Sequence, residues 1–151
     1  MATDLITYLR GHNLISKAQH GFLSRRSTST NILESLNDWI LNLENHKHQS
    51  VAYIDFAKAF DCVCHNKLLA KLSGYGICGP LYDWITSFLS DRVCRTRVGD
   101  CLSSPLPIFS GVIQGSCLGP VLFVLFAVLF AVIKLFADNV KLYSKVHLHC
   151  K

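Results

Sequence analysis

Charge is scarce in this chain of 151 residues: only 17% are Asp, Glu, Lys or Arg, while 50% are hydrophobic. That balance excludes a disordered segment and a coiled coil, and 9 glycines with 4 prolines exclude a collagen-like repeat. No CxxC pair occurs among the 7 cysteines, at positions 62, 64, 78, 94, 101, 117 and 150, and an odd number does not close into disulfides. The opening segment MATDLITYLRGHN lacks the cationic and apolar regions of a secretory signal. The cysteines are therefore read as reduced thiols of an intracellular protein. Cys62, Cys64 and His65 come nearest to a metal cluster, but with no second half-site no zinc is expected, and His147, His149 and Cys150 are read as a terminal tail. A linker is missing too, so the length fits one domain of roughly 100–200 residues. Basic import clusters are also absent, Arg25-Arg26 being only a pair.

What charge there is favours one sign. Lys+Arg 15 against Asp+Glu 10 gives +5, enough to attract polyanions at low salt and too little to identify a nucleic-acid partner. The most apolar stretch runs from Pro120 to Ala137, PVLFVLFAVLFAVIKLFA, with Lys134 as its one charge. Its uninterrupted part, Val121 to Ile133, falls short of the ~20 residues that a bilayer core requires. A buried core helix is expected there, with a membrane anchor kept as an alternative.

Periodicity supplies the elements. Ile32, Leu33, Leu36, Trp39, Ile40 and Leu43 recur at helical spacing, behind N-cap candidates from Ser27 to Thr30, and predict a helix whose apolar face is buried. Val51-Ala52-Tyr53-Ile54 predicts a buried strand that delivers Asp55 at its end. A short helix is expected around Leu68, Leu69 and Leu72, and another through Leu81, Trp84, Ile85, Phe88 and Leu89 after the start signal Gly79-Pro80. Val93 to Val98 alternates, with Arg95 and Arg97 on one side, and turns at Gly99-Asp100: a hairpin strand with a basic face. Lys134 to Ala137 and Val140 to Tyr143 predict a second hairpin, with Asp138-Asn139 between them. The fold class is α+β, helices packed on an antiparallel sheet.

Two aspartates thus sit at strand ends or turns, Asp55 and Asp138. Hard oxygen ligands of this kind suit Mg²⁺ held together with substrate phosphates. Taken alone, aspartates in turns are ordinary. Their surroundings are not: Tyr53-Ile54-Asp55-Phe56-Ala57-Lys58-Ala59-Phe60-Asp61, Ser110-Gly111-Val112-Ile113-Gln114-Gly115-Ser116 and Phe136-Ala137-Asp138-Asn139 occur in that order. With Gln19-His20-Gly21-Phe22, Arg25-Arg26-Ser27-Thr28, His65, Leu68-Leu69, Tyr75-Gly76-Ile77, Arg95-Thr96-Arg97-Val98-Gly99 and Leu118-Gly119-Pro120, the chain from about Leu5 to Tyr143 resembles the reverse transcriptase of non-LTR, LINE-type retrotransposons.

The resemblance implies a right-hand polymerase palm with part of the fingers, as a single partial domain over 1–151: a fingers and first-helix segment at 5–50, and a palm at 51–145. It implies RNA-directed DNA synthesis with an RNA template, a DNA primer, deoxynucleoside triphosphates and two Mg²⁺ ions. Asp55, Asp138 and Asn139 then form the catalytic set, and Asp55, Asp138 and the Phe56 carbonyl are metal ligands. Phe60 is the sugar-selecting aromatic, Gln114 and Gly115 contact the incoming nucleotide and template, and Arg25 and Arg26 contact template phosphate. By analogy with the family, its place of action is the nucleus.

The chain also departs from the family. Asn139 stands where a second aspartate is usual, which removes a negative charge beside a dication and predicts weaker metal binding. The connection from Pro120 to Phe136 is short and apolar, which predicts that Asp138 fails to reach Asp55. An upstream arginine-proline-isoleucine segment and a thumb have no counterpart, so exposed core surface is expected. The alternative reading is a catalytically inactive remnant that binds nucleic acid through Arg25, Arg26, Arg95 and Arg97.

Overall fold

A computed structural model describes residues 2–127, 133–136 and 139–146. The elements run α1 (Ala2–Gly11), α2 (Thr28–Glu44), β1 (His48–Asp55), α3 (His65–Gly74), α4 (Pro80–Leu89), β2 (Val93–Cys94), β3 (Arg97–Val98), β4 (Cys101–Leu102), β5 (Leu106–Pro107), α5 (Gly119–Ala127), β6 (Ile133–Phe136) and β7 (Asn139–Val146). Helices and small antiparallel sheets make the fold α+β, as expected. The chain divides into two compact units, residues 1–57 with 127–151, and residues 58–126.

In the first unit α2 begins where the sequence indicated. Ser27 is the N-cap, its hydroxyl accepting from the Thr30 amide at 3.2 Å while Thr30 Oγ1 accepts from the Ser27 amide at 2.9 Å, a reciprocal capping box. The face it buries is not the expected one. Leu33 and Leu43 are 65% and 68% exposed, and Ile32, Leu36 and Ile40 are exposed with them. Asn31, Ser35 and Asn42 are buried instead. Each has a polar reason to be inside: Asn31 Oδ1 accepts from Lys141 Nζ at 2.8 Å, Ser35 donates to the Asn31 carbonyl, and Asn42 donates to Gln49 Oε1 at 2.9 Å. Satisfied polar side chains can therefore occupy the stripe of α2 that packs beside β1 and β6.

The sheet of this unit has the order β1-β7-β6, entirely antiparallel. β6 and β7 pair as expected of the second hairpin, but Asn139, expected between the strands, belongs to β7 and lies opposite Phe136. β1 is an edge strand and is exposed along most of its length, Tyr53 at 67% among them, so the expectation of a buried strand is corrected: one neighbour and a largely uncovered face leave its side chains in water.

The second unit has an apolar interior built by Val63, Leu68, Leu72, Ile85, Leu89 and Leu122, all essentially inaccessible. α4 starts at Pro80 behind Gly79, whose φ of +66° suits a residue without Cβ, and buries Ile85 and Leu89 while Trp84 stacks on Phe88. α5 is apolar all round and buries Val121 to Leu125, the pattern of a helix enclosed by protein. Lys71 ends it, donating to the carbonyls of Phe126 at 2.6 Å and Leu125 at 3.4 Å. The core helix expected in the apolar stretch is thus present over Gly119–Ala127, and Ile133 already belongs to a strand. Residues 128–132 lie outside the described residues, among which no helix is long and apolar enough to cross a membrane. The basic hairpin is split into two ladders, β2 with β5 and β3 with β4, and every residue from Val93 to Pro107 is exposed.

Candidate functional site

Asp55 closes β1, and the antiparallel register with β7 places Asn139 directly opposite it. Asp138, which the short connection is expected to keep from Asp55, lies outside the described residues, as does the tail of His147, His149 and Cys150. Asp55 and Phe56 are exposed, Phe56 at 53%, so a carboxylate and the next carbonyl stand at an accessible strand end. These are hard oxygen donors, the chemistry a magnesium-sized ion prefers. Among the described residues no three His, Cys, Asp or Glu side chains converge, and the six described cysteines form no disulfide.

Arg25 and Arg26 differ sharply in setting. Arg25 is exposed with φ +63°, in a turn closed by the Arg26 amide donating to the Leu23 carbonyl at 3.2 Å. A left-handed arginine costs roughly 1–2 kcal/mol, so the fold holds this side chain outward at some expense. Arg10, from α1, braces the same loop through the hydroxyl and carbonyl of Ser24, both at 3.0 Å. Arg26 is engaged instead: its guanidinium donates to Nε2 of buried His20 at 2.9 Å and lies 3.5 Å from a Glu34 oxygen. His20 Nδ1 is 3.0 Å from Thr30 Oγ1, which ties this cluster to the cap of α2.

In the second unit Phe60 is half-buried in the turn after Lys58, its ring stacked on Phe123 with centroids 4.5 Å apart. Gln114 and Gly115 are exposed at the crest of a four-residue turn, closed by the Ser116 amide donating to the Ile113 carbonyl at 3.3 Å. Gly115 has φ +80° at the third position, which type II geometry requires of that residue. Ser116 Oγ donates to the Ile113 carbonyl and accepts from the Gly119 amide at 2.8 Å, so the turn is fixed to the start of α5. Phe60 and the glutamine turn are linked through backbone, since the Val112 amide donates to the Phe60 carbonyl at 2.9 Å.

That link is tight at Gly111. Its φ is +87°, and a Cβ there would come within 2.9 Å of Asp61 Cα and 3.1 Å of the Phe60 carbonyl oxygen. The Gly111 amide donates to Val63 at 2.8 Å, and Ser110 Oγ donates to the Asp61 carbonyl at 2.9 Å. The Gly111 carbonyl accepts twice, from His65 Nε2 and from Arg92, each at 2.8 Å. The sequence marks His65 only beside Cys62 and Cys64 and within the family resemblance, and it does not mark Arg92. No local pattern marks either, because their partner is a distant backbone oxygen.

The chain matches the family model for reverse transcriptase (RNA-dependent DNA polymerase) over residues 1–146. It is 36% identical over 113 residues, 75% of its length, to the RNA-directed DNA polymerase from mobile element jockey of Drosophila melanogaster, of which it covers 12%. It is 30% identical over 123 residues to the probable RNA-directed DNA polymerase from transposon BS of the same fly, covering 82% of this chain and 13% of that protein. A Pol polyprotein from type-1 retrotransposable element R2 of Popillia japonica is 36% identical over 77 residues, 51% of this chain and 13% of the relative.

Proposed function

Because the chain belongs to the reverse transcriptase (RNA-dependent DNA polymerase) family, we propose that it forms part of the palm and fingers of a non-LTR retrotransposon polymerase, and that its site binds a deoxynucleoside triphosphate with divalent metal. The observation that carries this reading is the register between β1 and β7, which sets Asn139 of the metal turn against Asp55. Asp55, the Phe56 carbonyl and Asp138 are the proposed ligands. Mg²⁺ held there would offset the charge of the triphosphate and of the attacking primer hydroxyl.

The chain's own groups do the rest. Phe60, held flat against Phe123, offers a rigid ring that would exclude a 2′-hydroxyl by contact. Gln114 offers an uncharged amide, and Gly115 lets the backbone approach a base pair closely. Arg25, held outward by its turn, suits a template phosphate, while Arg26 is held by His20 and Glu34. RNA template, DNA primer and deoxynucleotides are the partners of this reading, and the nucleus is its place of action.

Asn139 favours a second reading, a remnant that binds nucleic acid without synthesis. Supplying the chain with a primed RNA template, deoxynucleotides and Mg²⁺ separates the two. Template-dependent incorporation supports the polymerase reading. Binding that weakens steeply with salt, without incorporation, supports the remnant.

A further inference from the structure

We infer that His65 and Arg92 are positioning residues for the nucleotide site, acting together on the Gly111 carbonyl to fix the spacing between Phe60 and the Gln114-Gly115 turn. The inference rests on the nucleotide-binding reading of those residues. Its basis is geometric. A carbonyl oxygen has two lone pairs, and both are filled here by side-chain donors from different places in the second unit: His65 at the start of α3 and Arg92 just before β2.

Each donor is itself held. His65 opens a helix whose Leu68 and Leu72 are fully buried. The Arg92 carbonyl accepts from the Ile108 amide at 2.8 Å, which fixes the backbone beneath its guanidinium. Gly111 is buried, so a carbonyl that lost both donors would be left unsatisfied, at a far higher cost than a lost surface contact. Directly after Gly111 the chain is bonded to Phe60 through Val112, and within three residues of Gly111 it reaches Gln114. A shift of this one peptide therefore changes the distance between the ring that would judge the sugar and the amide that would judge the base pair.

Neither side chain is placed against substrate. A role in stability alone would loosen the unit and slow every nucleotide alike. A positioning role alters the choice between nucleotides. The test compares the full chain with His65→Ala/Arg92→Ala and with Arg92→Lys, which keeps a donor. Two quantities are read: amide hydrogen exchange over residues 110–116, and the ratio of thymidine to uridine triphosphate incorporated on a primed RNA template with Mg²⁺.

The double variant should exchange about tenfold faster over 110–116, with the amides of α4 unchanged, and should lose about tenfold of its preference for the deoxynucleotide. Arg92→Lys should recover most of both. Unchanged exchange and an unchanged ratio overturn the inference. So does faster exchange throughout residues 58–126 with the ratio intact. If the unsubstituted chain incorporates neither nucleotide, the polymerase reading fails, and exchange with thymidine triphosphate and Mg²⁺ added decides the inference alone. Protection of 113–116 in the parent but not in the double variant upholds it, and protection in both or in neither overturns it.

Discussion

Replacing Gly111 with alanine should destabilise the second unit strongly. Two costs combine. An L residue at φ +87° pays roughly 1–2 kcal/mol for a left-handed backbone. The new Cβ would lie 2.9 Å from Asp61 Cα and 3.0 Å from the Asp61 carbonyl oxygen. Both are backbone atoms, unable to swing aside, so the crowding adds about 1–3 kcal/mol. The expected loss is about 2–5 kcal/mol, a large part of the roughly 5–15 kcal/mol that holds a domain together. Two other glycines isolate the components. Gly115 has φ +80° and nothing within 4 Å of a Cβ, so Gly115→Ala should lose only the backbone part, roughly 1–2 kcal/mol. Gly74, the last residue of α3, has open space and an ordinary φ, so Gly74→Ala should be neutral or gain up to about 1 kcal/mol. The assay is urea unfolding followed by Trp84 fluorescence in a Trp39→Phe background, with stability compared at constant slope. Equal losses for Gly111→Ala and Gly115→Ala would refute the reasoning, because the close approach to Asp61 would then cost nothing.

Three further outcomes follow from the geometry. Ser27→Ala removes the cap of α2 and should cost about 1 kcal/mol in urea unfolding, whereas Ser29→Ala should cost much less. Burial holds Lys71 below the ordinary lysine pKa, so at alkaline pH the unfolded chain binds more protons than the folded one. Stability from this group therefore rises as pH climbs through the window between the two values, and Lys71→Met should abolish that rise in midpoints compared at neutral and alkaline pH. Arg25→Ala should weaken binding to single-stranded RNA of any sequence and reduce the slope of log affinity against log salt by about 0.7, whereas an unchanged slope would remove Arg25 from the interface.

Much of the fold was legible because its signals are local. The cap at Ser27 and the Gly79-Pro80 start of α4 appear where the residues indicated, while β6 and β7 pair as expected but with Asn139 in the strand and not between the strands. Burial was less legible, since periodicity identifies a face but not which face meets the sheet. On α2 the side chains turned inward are Asn31, Ser35 and Asn42, whose partners Lys141 and Gln49 come from β7 and β1. Three motifs carry the candidate residues other than Arg25 and Arg26, which lie in a fourth segment. The register that sets Asn139 against Asp55 could not be read from them, because the pairing joins strands far apart in the chain. The Gly111 clamp was hidden for the same reason: a glycine, a histidine and an arginine meet there through one backbone oxygen.

Mg²⁺-dependent extension of a DNA primer on an RNA template tests the central claim most directly, with the unsubstituted chain run beside Asp55→Ala and Asn139→Asp. The parent should incorporate nucleotide, Asp55→Ala should fall to background, and Asn139→Asp, which restores the missing charge next to the metal, should gain. Incorporation by Asp55→Ala equal to that of the parent would contradict the assignment of the β1 end as the metal site.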